Sequence, residues 1–216
     1  MPVKRRFRQT LALLLLAACQ SAVGGLAIAA PAHPHARASA AAQAYSAQKS
    51  VELARSQIGV TLAYDSGYTA IAYPNGDVPV SKGVCTDVII RALRGQGIDL
   101  QRLVHEDMRR AFAQYPARWG LKRPDPNIDH RRVLNLEVFM RRQGRALPVS
   151  KNPRDYQAGD WVTWRLLDGD RLPHIGMVSD RTAKDGTPLI IHNIGRGTQE
   201  EDTLFAFPIA GHYRWR

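Results

Sequence analysis

From Pro153 to the C-terminus the chain is cut repeatedly by turn dipeptides, Gly159-Asp160, Asp168-Gly169 and Asp185-Gly186, with short apolar runs between them. Runs of that length, punctuated in that way, form strands joined by tight hairpins. The expected strands are 161–164, 174–179, 189–193, 204–209 and 212–215, in an antiparallel meander. The first half has a different period. Val51, Leu53, Ala54 and Ile58 suit a helix over 48–58, stopped by Gly59. Val88, Ile89, Ala92 and Leu93 form one apolar face of a helix over 85–94, ended by Gly95 and Gly97. Further helices are expected over 100–115 and 130–142. Residues 64–80 carry Gly, Pro, Asn and Asp turn signals. Helices first and strands after define an α+β fold in a single domain, 47–216.

The first residues read as an address. Lys4, Arg5, Arg6 and Arg8 precede an apolar run, Thr10 to Ala18, too short to span a bilayer. Two processing routes stay open. A small-residue site at Ala27-Ile28-Ala29 gives a signal peptide over 1–30. Leu16-Ala17-Ala18-Cys19 resembles a lipobox and gives a lipoprotein signal over 1–18, with Cys19 as a lipid anchor. Residues 31–46, rich in Ala, Pro and His, read as a flexible linker. The expected location is outside the cytoplasm, in the periplasm, free or membrane-anchored.

Export sets the meaning of the two cysteines. Cys19 is removed or acylated, so Cys85 has no partner in an oxidising compartment. Counting alone leaves inert burial, intermolecular bridging and reactivity open. The formal net charge is +11, and without the four leading cations it is about +7. Such a surface attracts anionic partners, including carboxylate-rich wall peptides. No zinc-finger spacing and no aromatic-studded basic strand accompany the charge, which argues against nucleic acid.

The chemistry-bearing residues form a pattern. Cys85 opens its helix, where free N–H groups and the macrodipole favour a thiolate. Asp87, in the first turn, opposes the thiolate and is a candidate helix cap or substrate contact. In the run from His174 to Val178, alternation puts His174, Gly176 and Val178 on one face. A hairpin closing at residue 183 or 184 sets His192 beside His174 or Gly176, on that same face. A slip of one residue sets Asn193 there instead. Thiolate, imidazole and orienting polar group make a nucleophilic triad.

That order, together with Gly159-Asp160 before an apolar strand and the segment HIGMVSD, resembles the papain-like, NlpC-type cell-wall cysteine peptidases. The resemblance implies a cysteine-bearing helix packed on a small antiparallel sheet. It assigns Cys85 as nucleophile, His174 as general base and acid, and His192 as third member. IGVTLAY resembles the stretch that supplies an oxyanion-site tyrosine, here Tyr64, with the Cys85 N–H as second donor. The segments GVCTDVIIRALRGQGIDLQRLVHEDM, YPARWGLKRPDPNIDHRRVLNLEVFMRR, IIHNIGRGTQEEDTL and GHYRWR identify the chain as a member of the narrower domain-of-unknown-function family 1287, whose name confers no activity.

The chain departs from the NlpC pattern in two places. Val84-Cys85-Thr86 stands where Asp-Cys-Ser is usual, so recognition of a free amine is in doubt. A helical insertion near 96–157 is long for the simple fold. It carries His105-Glu106-Asp107 and Asp129-His130-Arg131-Arg132, either ion-pair clusters or a lid for substrate carboxylates. Arg131 and Arg132 are most simply a solvated face; as substrate contacts they join Arg196. The expected function is an exported thiol hydrolase that cuts an amide bond in peptidoglycan stem peptides without a cofactor. The alternatives are a catalytically silent wall-binding module of the same fold, and a zinc-dependent amidase using Cys85, His174 and His192. No HExxH or similar signature accompanies the latter.

Overall fold

Ser46 accepts a hydrogen bond from the Lys49 N–H and so caps helix α1 (Ala47–Arg55). The computed structural model describes residues 44–166 and 172–216. The expected export segment, nearly all of the linker, and the Asp168-Gly169 turn lie outside them. Helix α1 stops before Ile58, and the chain turns through Gly59 at φ 77°.

Two short strands, β1 (Ala63–Tyr64) and β2 (Lys82–Gly83), pair in parallel just ahead of α2 (Cys85–Arg94). Sequence reasoning expected only turns over this stretch. Helix α2 starts and ends where its apolar spacing placed it, but it is buried far beyond one face. Every residue from Cys85 to Ile90 is buried, with Ala92 and Leu93. Helix α3 (Leu100–Ala111), capped by Asp99, gives way to a 3-10 turn over 112–114, shorter than the expected 100–115 helix. Helix α4 (Val133–Arg142) also starts later than expected. Residues 129–131 form a 3-10 turn, and Arg132 is extended at φ −102° and ψ 116°.

The main sheet comprises β3 (Ala146–Leu147), β4 (Trp161–Arg165), β5 (Pro173–Thr182), β6 (Pro188–Asn193), β7 (Thr198–Glu201) and β8 (Ile209–Tyr213). Its order is β3-β8-β4-β5-β6-β7, antiparallel throughout. Strands β4 to β6 make the expected meander and β7, which was not expected, continues it; β8 departs from it, crossing back to lie between β3 and β4. The strand expected over 204–209 is instead mostly a turn and connection. Leu204 is fully buried there, and its carbonyl accepts the Trp164 indole N–H at 2.9 Å. The polar run Thr198 to Glu201 supplies β7, which apolar patterning does not flag.

Both faces of the sheet are covered. Trp161, Ile175, Met177, Ile191 and Tyr213 join Val51, Ile89, Leu93, Val104, Leu136 and Met140 in the main core. Val162, Trp164, Val178 and Ile190 pack with Tyr156 and Leu204 on the other face. Burial of a large apolar side chain contributes about 1.5–3 kcal/mol, so two covered faces explain the nearly unbroken apolar texture of β4 and β6. The region 96–157 contains α3, α4, β3 and the short turns between them.

Candidate active site

Gly83 and Asp87 place the cysteine. The Asp87 carboxylate accepts the Val84 N–H at 2.6 Å and so caps α2. A Cβ on Gly83 would stand 2.8 Å from Asp87 Oδ2, so only glycine leaves room for this cap. Asp87 is also held by Arg131, whose Nε and Nη2 donate to its two oxygens at 3.0 and 2.9 Å. Arg131 is therefore buried, not on the solvated face expected for it. Burial of such a pair is tolerated because its geometry is bidentate, and removing one partner costs about 3–5 kcal/mol. The Asp87 carboxylate is committed to the protein's own groups, both oxygens being engaged.

Cys85 is 3% exposed and lines a cavity of about 360 Å³ together with Tyr64, Tyr68, Trp119, Arg131 and Arg132. Three donors surround its sulfur: the Ile175 N–H, the Thr86 N–H and the Tyr64 hydroxyl. Ile175 directly follows His174, so the sulfur rests against the β5 backbone beside the histidine. The helix terminus does not produce the expected thiolate. Burial pushes the Cys85 thiol up to about 11, and the Asp87 charge adds to the rise, against the lowering by the Ile175 N–H, the Thr86 N–H and the Tyr64 hydroxyl. Burial also raises the Tyr64 phenol, with the adjacent Cys85 contributing.

The histidines sit as the hairpin register requires. Met177 pairs with Ile191 and Val178 with Ile190, which carries Gly176 opposite His192. A Cβ on Gly176 would meet Ile190 Cγ2 at 2.6 Å and His192 Cβ at 3.1 Å. The missing side chain lets the two rings meet, with His174 Nε2 2.8 Å from His192 Nδ1. His192 Nε2 lies 3.0 Å from Glu201 Oε2, and Arg196 Nη2 holds the other Glu201 oxygen at 2.5 Å.

This chain sets the protons. Glu201 is held below the usual carboxylate range by Arg196 and His192, against the rise from its burial, so it is ionised and only accepts. His192 therefore donates from Nε2 and accepts at Nδ1. His174 must donate from Nε2, which leaves the lone pair on its Nδ1. Burial pushes His174 down to about 3, with a smaller contribution from His192. Burial likewise lowers His192, against the Glu201 carboxylate. At neutral pH the site holds a neutral thiol and two neutral imidazoles.

The structure thus brings Cys85, Tyr64 and the strand bearing His174 together, with His192 on His174. Asn193 is not beside His174. It points to the other face, where its Nδ2 donates to the Gly83 and Ala63 carbonyls at 3.1 and 3.3 Å and moors the end of β6 to the turn before Cys85. Arg196, its side chain 74% exposed, reaches the site only through Glu201. Arg132 lies over the Trp119 ring at 4.2 Å and pairs with Asp129. Glu201 was missed because Thr198 to Asp202 is polar and reads as a turn. The period-two relation of β7 to His192 was its only sequence signal. Among the described residues, no three His, Cys, Asp or Glu side chains converge as a metal ion would need.

Fold and site define an α+β domain whose lone described cysteine opens a helix packed on an antiparallel sheet that carries a histidine pair. The chain belongs to the family described as Domain of unknown function (DUF1287), whose model matches residues 51–215. It is 63% identical over 162 residues to an Escherichia coli (strain K12) protein titled "Uncharacterized protein YijF", covering 75% of this chain and 78% of that one. Two Trichomonas vaginalis structures, titled NlpC1 and NlpC2, are 13% identical, with TM-scores of 0.43 and 0.42. The matches cover 78% and 81% of this chain, and the chain spans about half the length of those proteins, 44% and 50%.

Proposed function

We propose that the protein is an exported thiol hydrolase of papain-like, NlpC-type fold that cuts an amide bond in peptidoglycan stem peptides. The single observation that supports this reading best is the linear arrangement His174–His192–Glu201, which starts one residue before Ile175, whose N–H donates to Cys85. A buried core histidine needs one partner. Here each ring passes its hydrogen bond to the next group, and the series ends with a free lone pair on His174.

In this mechanism the substrate carbonyl enters the Cys85 cavity. His174 Nδ1 takes the thiol proton as the sulfur–carbon bond forms, so no separate thiolate accumulates. Transfer suits the moment of attack because both groups rest neutral. His192, fixed by Glu201, holds His174 in the required tautomer and stabilises the imidazolium that forms. The Tyr64 hydroxyl and the Cys85 N–H are the donors for the oxyanion. His174 then returns the proton to the leaving amine and activates water against the acyl-enzyme. The cationic balance of the chain suits a carboxylate-rich wall polymer, and the leading segment suits delivery to the periplasm, with Cys19 as a candidate lipid anchor.

Digestion of purified sacculi with wild type and Cys85→Ala, followed by mass analysis of the released fragments, tests the reading and identifies the bond. Release by wild type and none by Cys85→Ala is expected. The close burial of Cys85 favours one competing reading, a silent wall-binding module. Sacculus binding by both proteins, with release by neither, would establish it.

A further inference from the structure

The wall of the Cys85 cavity carries two guanidinium groups, Arg131 and Arg132, and no carboxylate. Their counter-charges lie deeper, at Asp87 and Asp129, both buried. Arg131 is clamped. Its Nε and Nη2 are spent on Asp87, and Nη2 also reaches the Asp65 carbonyl at 3.4 Å. Its remaining nitrogen, Nη1, is buried and has no hydrogen-bond partner. Buried donors are nearly always satisfied, so an orphaned guanidinium N–H at a cavity wall is an unmet demand for an acceptor. The clamp denies Arg131 the rotation that would let it find one within the protein. Arg132 is fixed in the same wall by Trp119 and Asp129.

We propose that Arg131 Nη1 is the seat for a carboxylate of the bound peptide, and that the cleft selects substrates carrying a free carboxylate near the scissile amide. The proposal rests on the peptide-amide reading above and names what that site selects. A carboxylate is favoured over a neutral carbonyl by the surroundings. Beyond Tyr68, which walls both, a second cavity of about 680 Å³ bears the exposed Lys122 and Arg123. Its one acid, Asp125, is occupied by the Tyr68 hydroxyl and the Asn127 N–H. An anion entering from that side meets positive charge along its path. Tyr64 and Tyr68, both exposed, line the same cavity as Arg131.

The test uses the full chain carrying Cys85→Ala, titrated calorimetrically with two probes. One is the tripeptide L-Ala-γ-D-Glu-diaminopimelate with free carboxylates; the other is the same peptide with its carboxylates as primary amides. At least tenfold weaker binding of the amidated probe is expected. Arg131→Lys in that background keeps a cation for Asp87 and removes Nη1, and should equalise the two probes. Equal affinity of the two probes, binding of neither, or discrimination that survives Arg131→Lys in a folded protein overturns the proposal. The hydrolase reading fails separately: acid-selective binding with no fragment release by wild type keeps the carboxylate seat and removes the hydrolase.

Discussion

At the scale of single residues, burial outweighs the helix terminus. Cys85 has the position that ordinarily depresses a thiol pKa, yet desolvation and Asp87 hold it near 11. At pH 7 roughly one sulfur in ten thousand is then ionised. Iodoacetamide alkylation of the folded protein should be slow at neutral pH and climb through pH 9 to 11, with no plateau below pH 8; a plateau there would contradict the neutral resting site. Glu201 is the second residue-scale case. Glu201→Gln removes the charge that fixes the His192 tautomer, and Arg196 loses its partner. Fragment release should fall by about 10²-fold, the low end of what a general acid–base group supplies, while thermal stability changes little. Retained activity would show that His192 needs no orientation. That Cys85 opens a helix and that His174 and His192 share a strand face was legible from apolar spacing and strand alternation. Glu201 was not, because a carboxylate in a polar run carries no periodic signal until its strand is paired.

Among the elements, the return of β8 decides how the sheet closes. Asp160, in the turn before β4, accepts from Arg214 Nε and Nη2 at 2.6 and 2.7 Å, from His212 Nε2 at 2.7 Å and from the Gln157 N–H at 2.8 Å. These bonds tie the C-terminal strand to the middle of the sheet. Asp160→Asn leaves Arg214 without its counter-charge and should cost about 3–5 kcal/mol, read as a lowered urea midpoint at pH 7. Arg214 and His212 hold the Asp160 carboxyl below the usual carboxylate range, against its burial. Its contribution is therefore complete above that range and is lost as pH falls through the depressed value. Helices α1 and α2 and strands β4 to β6 were visible as periodic apolar runs. The later start of α4 was not, because residues 130–132 suit a helix locally and leave it only to bury Arg131 against Asp87.

For the molecule as a whole, the buried histidines set the acid limit. Burial, the largest cause for each, pushes His130 and His174 down to about 3, with Arg131 and Arg94 adding to the first and His192 to the second. In the unfolded chain each titrates near 6.5. Between those values the unfolded state binds more protons, so stability is complete above about pH 6.5 and falls as pH drops towards 3. Each unit of that shift corresponds to about 1.4 kcal/mol. Asp129, raised by burial, acts in the opposite direction. The urea midpoint should fall between pH 7.5 and 5 with its slope unchanged, and His130→Asn should flatten the dependence. A midpoint constant over that interval would contradict neutral burial of both rings.

By itself the sequence determined helices α1 and α2 and strands β4 to β6, that one cysteine opens a helix, and that two histidines share a strand face. These follow from local periodicity and turn chemistry, which act over a few residues. Only the tertiary structure decided the protonation of the site, the commitment of Asp87 to Arg131, the entry of Glu201 and the diversion of Asn193. Each of those depends on what water is excluded and which distant groups approach, and desolvation and long-range pairing leave no mark on the local spacing of residues.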